Sequence, residues 1–254
     1  MFTIYPAIDL RGGRVVRLKQ GRAENEIIYS DDPARIARQW EQQGAQWLHV
    51  VNLDGAFGER SEWNTDALQK ILAAVNIPVQ FGGGVRDLEA MRRAFALGVR
   101  RVVVGTVAIE HPEMAQQAVQ EFGADRVALA IDARDGIVAT RGWAKASGVG
   151  ALEFGKHMRA LGMTRAIVTD IARDGMQQGI DAHAMADFAR ATNLRVVASG
   201  GVASLDDVRN LLRVEACGVE GVIVGQALYT GAVRLDELLE VSCEQYSVIC
   251  EEER

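Results

Sequence analysis

The sequence is poor in proline (4 residues), cysteine (3) and histidine (4), and only 6% of it is aromatic. Cys217, Cys243 and Cys250 are an odd number without metal-ligand spacing. That argues against a disulfide framework and points to a reducing cytoplasm. No apolar run reaches the roughly 18 residues of a membrane span. The first ten residues lack the basic and apolar regions of a signal peptide. There is no excess of positive charge: 28 basic against 34 acidic residues leave a net charge of −6. Broad binding to nucleic acid or a membrane surface is therefore not expected.

What is present is a core-forming composition. Of the 254 residues, 48% are hydrophobic, enough to rule out bulk disorder, and 26 glycines supply tight turns. Short β-branched runs alternate with amphipathic stretches. Strands are expected at 3–9, 47–53, 78–81, 101–105, 126–132, 165–171, 195–199 and 221–225. Several are nearly continuous apolar runs, as in parallel strands covered on both faces. Helices are expected near 32–43, 64–74, 87–97, 112–121, 149–160, 181–192, 204–215 and 234–246. Asp32-Pro33 and Asn64 read as helix starts. Eight βα units in this length predict a (β/α)8 barrel, with a doubly wound sheet as the competing architecture.

An internal repeat favours the barrel. Phe81-Gly82-Gly83-Gly84-Val85 and the following Val104-Gly105-Thr106 recur about 120 residues later, as Ala198-Ser199-Gly200-Gly201-Val202 and Val224-Gly225-Gln226. Ala7-Ile8-Asp9 has its echo in Ala130-Ile131-Asp132. The expectation is one domain over 1–254, made of half-barrels at about 1–122 and 123–240, with a short acidic tail.

The repeat also pairs the candidate chemistry. Each glycine turn follows a strand and precedes a helix, where backbone N–H groups and the helix N-terminus favour an anion. Gly82, Gly83 and Gly84 with Gly105 and Thr106 form one candidate phosphate site. Ser199, Gly200 and Gly201 with Gly225 and Gln226 form the other. One such turn is weak evidence, since turns need glycine anyway. Two in register imply a long ligand with a phosphate at each end. Asp9 and Asp132 end the first strand of each half and face one another across the mouth, which suits an acid and a base. Thr169 and Asp170 end the sixth strand, where a hydroxyl can bind a ligand or position an aspartate. Asp170 and Asp174 have no third ligand at metal spacing. Trp143 lies on the loop after the fifth strand, able to stack on a planar ring or simply to anchor the loop. Arg17, Lys19 and Arg86 are weaker candidates for anion contact, and the four histidines read as packing or surface residues.

Together these residues resemble the ProFAR (phosphoribosylformimino aminoimidazole carboxamide ribotide) isomerases of histidine biosynthesis. The most specific runs are the opening Pro6-Ala7-Ile8-Asp9-Leu10-Arg11-Gly12-Gly13 and Thr169-Asp170-Ile171-Ala172-Arg173-Asp174-Gly175. Arg141-Gly142-Trp143 and Val51-Asn52-Leu53-Asp54-Gly55-Ala56 add to them, and the likeness extends over about 3–240. It implies an Amadori rearrangement of an aminoaldose to an aminoketose, on a bisphosphorylated substrate, without cofactor or metal. Asp132 would be the acid that opens the ribose ring and Asp9 the base at C2. Thr169 would support the acid or the opened sugar, and Trp143 would stack on the aminoimidazole. Apart from the resemblance, the cysteine usage leads us to expect a cytoplasmic protein, and a barrel interior does not force oligomers, so a monomer is expected. Two departures stand out: Met176 where the family often has Thr, and Gln226 where a basic residue is frequent. Three rivals stay open. They are the sister cyclase barrel, an isomerase that also takes phosphoribosyl anthranilate, and a phosphoribosyl-binding barrel without catalysis.

Overall fold

The computed structural model describes residues 2–18, 26–59 and 62–252, and of 244–252 the backbone alone. The strands, in chain order, are β1 Thr3–Arg11, β2 Arg14–Leu18, β3 Glu26–Ser30, β4 Leu48–Asn52, β5 Val79–Gly82, β6 Arg101–Val104, β7 Val127–Arg134, β8 Ile137–Thr140, β9 Lys145–Gly150, β10 Arg165–Asp170, β11 Arg195–Ser199 and β12 Val219–Val224. Eight of them pair in parallel in the order β1, β4, β5, β6, β7, β10, β11, β12, and β12 returns to β1. The sheet is thus a closed (β/α)8 barrel, not a doubly wound sheet.

The helices are α1 Pro33–Gln42, α2 Leu53–Phe57, α3 Glu62–Ala74, α4 Leu88–Leu97, α5 Thr106–Glu110, α6 Pro112–Phe122, α7 Ala151–Ala160, α8 Ala182–Thr192, α9 Leu205–Leu212, α10 Gln226–Thr230 and α11 Leu235–Glu252. Their starts follow from short polar side chains. Asp32 caps α1 through the Arg35 N–H with Pro33 in the first turn, and Asp87 and Asp181 cap α4 and α8. Such a cap stabilises by about 1 kcal/mol. The apolar faces of the helices pack on the outside of the barrel, where Ile8, Leu10, Met91, Leu129 and Leu238 are fully buried. A smaller cluster of Tyr5, Ala7, Val103, Ala128, Ile167, Val197 and Ile223 fills the interior.

Several elements depart from expectation. The hairpin strands β2, β3, β8 and β9 lie outside the barrel sequence and were not among the expected strands. The segment Lys-Ala-Ser-Gly-Val-Gly of β9 has little β propensity and is held by pairing with β8. Asn64 is not a helix start, because α3 already begins at Glu62. Its amide instead accepts from the Gly13 N–H and donates to the Leu10 carbonyl and the Asn52 side chain. It ties the β1–β2 turn to the end of β4. The segment expected as an acidic tail continues α11 to Glu252.

Candidate active site

The register of the barrel decides which side chains meet. Asp9, near the C-terminal end of β1, and Asp132, on β7, have three strands between them on either side, so they face each other across the mouth. A cavity of about 680 Å3 opens between them and is lined by both. Thr169 on β10 is the direct strand partner of Asp132 and lines the same cavity.

The two aspartates have different surroundings. Asp9 accepts a hydrogen bond from Arg17 at 3.0 Å, and Arg17 also reaches Asp174 at 2.6 Å. Burial pushes the Asp9 carboxyl up, the Arg17 charge opposes this, and Asp174 adds to the rise. Burial disfavours the Arg17 charge, but Asp174 and Asp9 outweigh it and hold the guanidinium protonated. Among the described residues no cation lowers the Asp132 pKa. Burial raises it, hydrogen bonds from the Trp143 indole and the Thr169 hydroxyl temper the rise, and the Asp174 charge adds to it.

The glycine turns lie on opposite sides of the mouth, after the adjacent strands β5 and β6 and after the adjacent strands β11 and β12. Gly82, Gly83, Gly84, Gly105 and Thr106 line the cavity on one side, and Ser199, Gly200, Gly201, Gly225 and Gln226 on the other. Their glycines answer to close packing as well as to any anion. A Cβ on Gly83 would meet the Asn52 carbonyl oxygen at 2.1 Å, and one on Gly201 the Gly179 carbonyl oxygen at 2.4 Å. Gly105 and Gly225 precede the short helices α5 and α10 with nearly equal backbone angles. Thr106 Oγ1 accepts from the Arg141 N–H at 3.0 Å, which ties the β8–β9 loop to the first turn site. Arg141, Gly142 and Trp143 have consecutive positive φ values of 55°, 62° and 70°. This left-handed run carries the Trp143 indole to Asp132.

Other expected ligand-binding residues divide. Arg17 and Arg86 line the cavity, Arg86 donating to the Gly55 carbonyl. Lys19 lies outside the described residues. Asp170 is not among the residues that line the cavity; its carboxylate accepts from the Ala172 N–H and pairs with Arg173. Gly175 and Gln177 line the cavity where Met176 between them does not.

Two residues of the cavity were passed over in the sequence. Asp174 was weighed only as a metal ligand, yet it lines the cavity and holds Arg17. His49 was taken for a packing residue; it is buried but lines the cavity floor. Its signal was strand alternation, which puts His49 and Val51 on one side of β4.

The family model for histidine biosynthesis proteins matches residues 3–234. The chain belongs to this family. Relatives named 1-(5-phosphoribosyl)-5-((5-phosphoribosylamino)methylideneamino) imidazole-4-carboxamide isomerase occur in Moorella thermoacetica, 50% identical over 95% of this chain and 98% of the relative, and in Syntrophomonas wolfei, 48% identical over 93% and 96%. A third, from Heliobacterium modesticaldum, is 49% identical over 95% and 98%. Within the family, identity of this order spans the whole barrel, so the cavity and its loops fall inside the shared region.

Proposed function

We propose that the protein is the isomerase its relatives are named for, converting the aminoaldose ProFAR to its aminoketose. The observation that carries this reading is the pair Asp9 and Asp132, facing each other across one cavity between two matched glycine turns. A phosphate at each turn stretches the substrate across the mouth and sets the reacting sugar between the two carboxyls.

The surroundings of the aspartates support a division of labour. Asp132, raised by burial and by the Asp174 charge, with the Trp143 indole and the Thr169 hydroxyl as its donors, keeps a proton more readily and is the acid. It protonates the ribose ring oxygen, the ring C–O bond breaks and a protonated Schiff base forms at C1. Asp9, beside Arg17, is the group better held as a carboxylate and is the base. It takes the proton from C2, and the electron pair of that C–H bond forms the enolamine. Proton transfer from the C2 hydroxyl and to C1 then yields the ketose. Thr169 orients Asp132. Trp143, now on Asp132, is released to stack on the aminoimidazole when substrate enters. Every group invoked comes from one chain, which supports a monomer as the active unit. A biosynthetic reaction and a sequence with only three cysteines, an odd number without disulfide spacing, support a cytoplasmic setting. The matched turns likewise support a barrel built as two related halves.

The test is turnover of the purified protein on ProFAR, with phosphoribosyl anthranilate in parallel. Turnover of ProFAR alone is expected. Turnover of both would make the enzyme bifunctional. Binding without turnover of either would overturn the reading.

A further inference from the structure

The floor of the cavity is apolar except at one position. Ala7, Val103, Ala130, Ile167 and Ile223 line it, and His49 is the polar group among them. The barrel register places His49 on β4 beside Gln80 on β5, and Gln80 beside Arg101 on β6. The three side chains form a chain of hydrogen bonds in the interior. Arg101 donates to Gln80 Oε1 at 3.0 Å, and Gln80 Nε2 lies 3.0 Å from His49 Nδ1. The direction of this chain is forced. A guanidinium has donors only, so it takes the amide oxygen of Gln80. The amide nitrogen is then left for the imidazole and must donate to it. Nδ1 is therefore the acceptor, and the ring proton sits on Nε2. Arg101 is itself held over the Trp47 ring, 4.4 Å from its centroid, and donates to the Asp125 carbonyl.

We propose that His49 is a substrate-binding residue. Neutral, with its proton fixed on Nε2 by the Gln80–Arg101 chain, it donates a hydrogen bond from the cavity floor to an oxygen of the opened sugar. The oxygen on the carbon that loses its proton to Asp9 is the nearest by layer, since Asp9 is on the neighbouring strand one inward position above His49. That oxygen is a hydroxyl in the opened aldose and a carbonyl in the ketose. A fixed donor favours the carbonyl as it forms, without giving up its proton. Gln80 and Arg101 are positioning residues that act through His49. Ionisable groups on the elements packed around the imidazole are Tyr5 and Asp9 on β1, Arg17 on β2, Arg101 on β6, Asp132 on β7 and Arg165 on β10. Burial lowers the imidazole to about 4, so it stays neutral through the working range.

The inference rests on the isomerase reading, and one measurement separates the two. Nitrogen-15 NMR of the imidazoles in the unliganded wild-type protein reads the tautomer without turnover. A protonated Nε2 and bare Nδ1 from pH 5.5 to 8 is expected for His49. A protonated Nδ1, or titration near 6.5, would overturn the proposal even in an active enzyme. Failure of wild-type turnover with the expected tautomer would sink the isomerase reading instead. In the active enzyme, His49→Ala should lower kcat about 100-fold with a smaller change in KM. A loss under tenfold overturns the contact. His49→Gln, which keeps an N–H donor, should recover part of the loss. Gln80→Glu guards against a variant that fails to fold. A carboxylate against Nδ1 favours the imidazolium, so kcat should gain a new ionisation between pH 6 and 8. A wild-type pH profile in Gln80→Glu would count against the chain.

Discussion

The Asp9 carboxylate and the Arg17 guanidinium lie 3.0 Å apart because β2 folds back on β1, with Val16 directly opposite Asp9. The Gly12-Gly13 turn between the strands is held from outside by Asp54, which accepts from the Gly12 N–H, and by Asn64, which accepts from the Gly13 N–H. A short hairpin thus sets the charge that tempers a buried carboxyl. Arg17 also comes close to the second glycine turn: a Cβ on Gly225 would lie 3.4 Å from its guanidinium nitrogen.

Asp9→Asn should lower kcat by at least about 100-fold while largely sparing substrate binding, as expected for loss of a general base. Substantial residual kcat would remove Asp9 from that role. Arg17→Met tests the tempering charge. Without Arg17, burial and Asp174 both push Asp9 upward, so the base stays protonated to higher pH. The acid limb of kcat/KM should move to higher pH. An unmoved limb would mean that Arg17 acts on the ligand alone.

Trp143→Phe removes the indole donor to Asp132 and keeps an aromatic face. One of the two bonds that lower the Asp132 pKa is lost, so the acid holds its proton longer. The alkaline limb of kcat/KM, which reports the free enzyme, should shift upward. Trp143→Ala should also weaken substrate affinity. Unchanged kinetics in both variants would return Trp143 to anchoring its loop.

Gly201→Ala tests the packing share of the glycine turn. Its φ of +97° and the Gly179 carbonyl 2.4 Å from the added methyl leave no room. A loss of about 2 kcal/mol is expected, seen as a fall of roughly 5 °C in Tm. An unchanged melt would show that the two loops part easily.

Acid stability should report His49. Its folded-state pKa of about 4 lies below its ordinary 6.5, so the unfolded chain takes up a proton first as pH falls. Stability should drop between pH 6.5 and 4, by up to ~3 kcal/mol from this group. Asp9 and Asp132, raised by burial, act in the opposite sense. The comparison with His49→Gln in urea titrations at pH 7 and 4.5 isolates the histidine: the variant should lose less. Equal losses would mean that the imidazole reaches solvent readily.

The sequence by itself determined the barrel strands and the places of the two aspartates and both glycine turns. Those features repeat along the chain, and nearly continuous β-branched apolar runs, strand-end aspartates and glycine turns are local signals. The hairpins that cover the mouth were not legible, because strands such as β9 exist through pairing and not through propensity. Nor was Asp170 separable from Asp174. Asp170 ends β10 and Asp174 lies four residues on in the following turn; Asp170 pairs with the Ala172 N–H and Arg173, and Asp174 with Arg17. His49 shows the same limit. Alternation places it inside, but its tautomer and charge come from Gln80 and Arg101, which are 31 and 52 residues away in the chain and adjacent in the sheet. Contacts across strands fix protonation and aim, and those contacts exist only once the barrel closes.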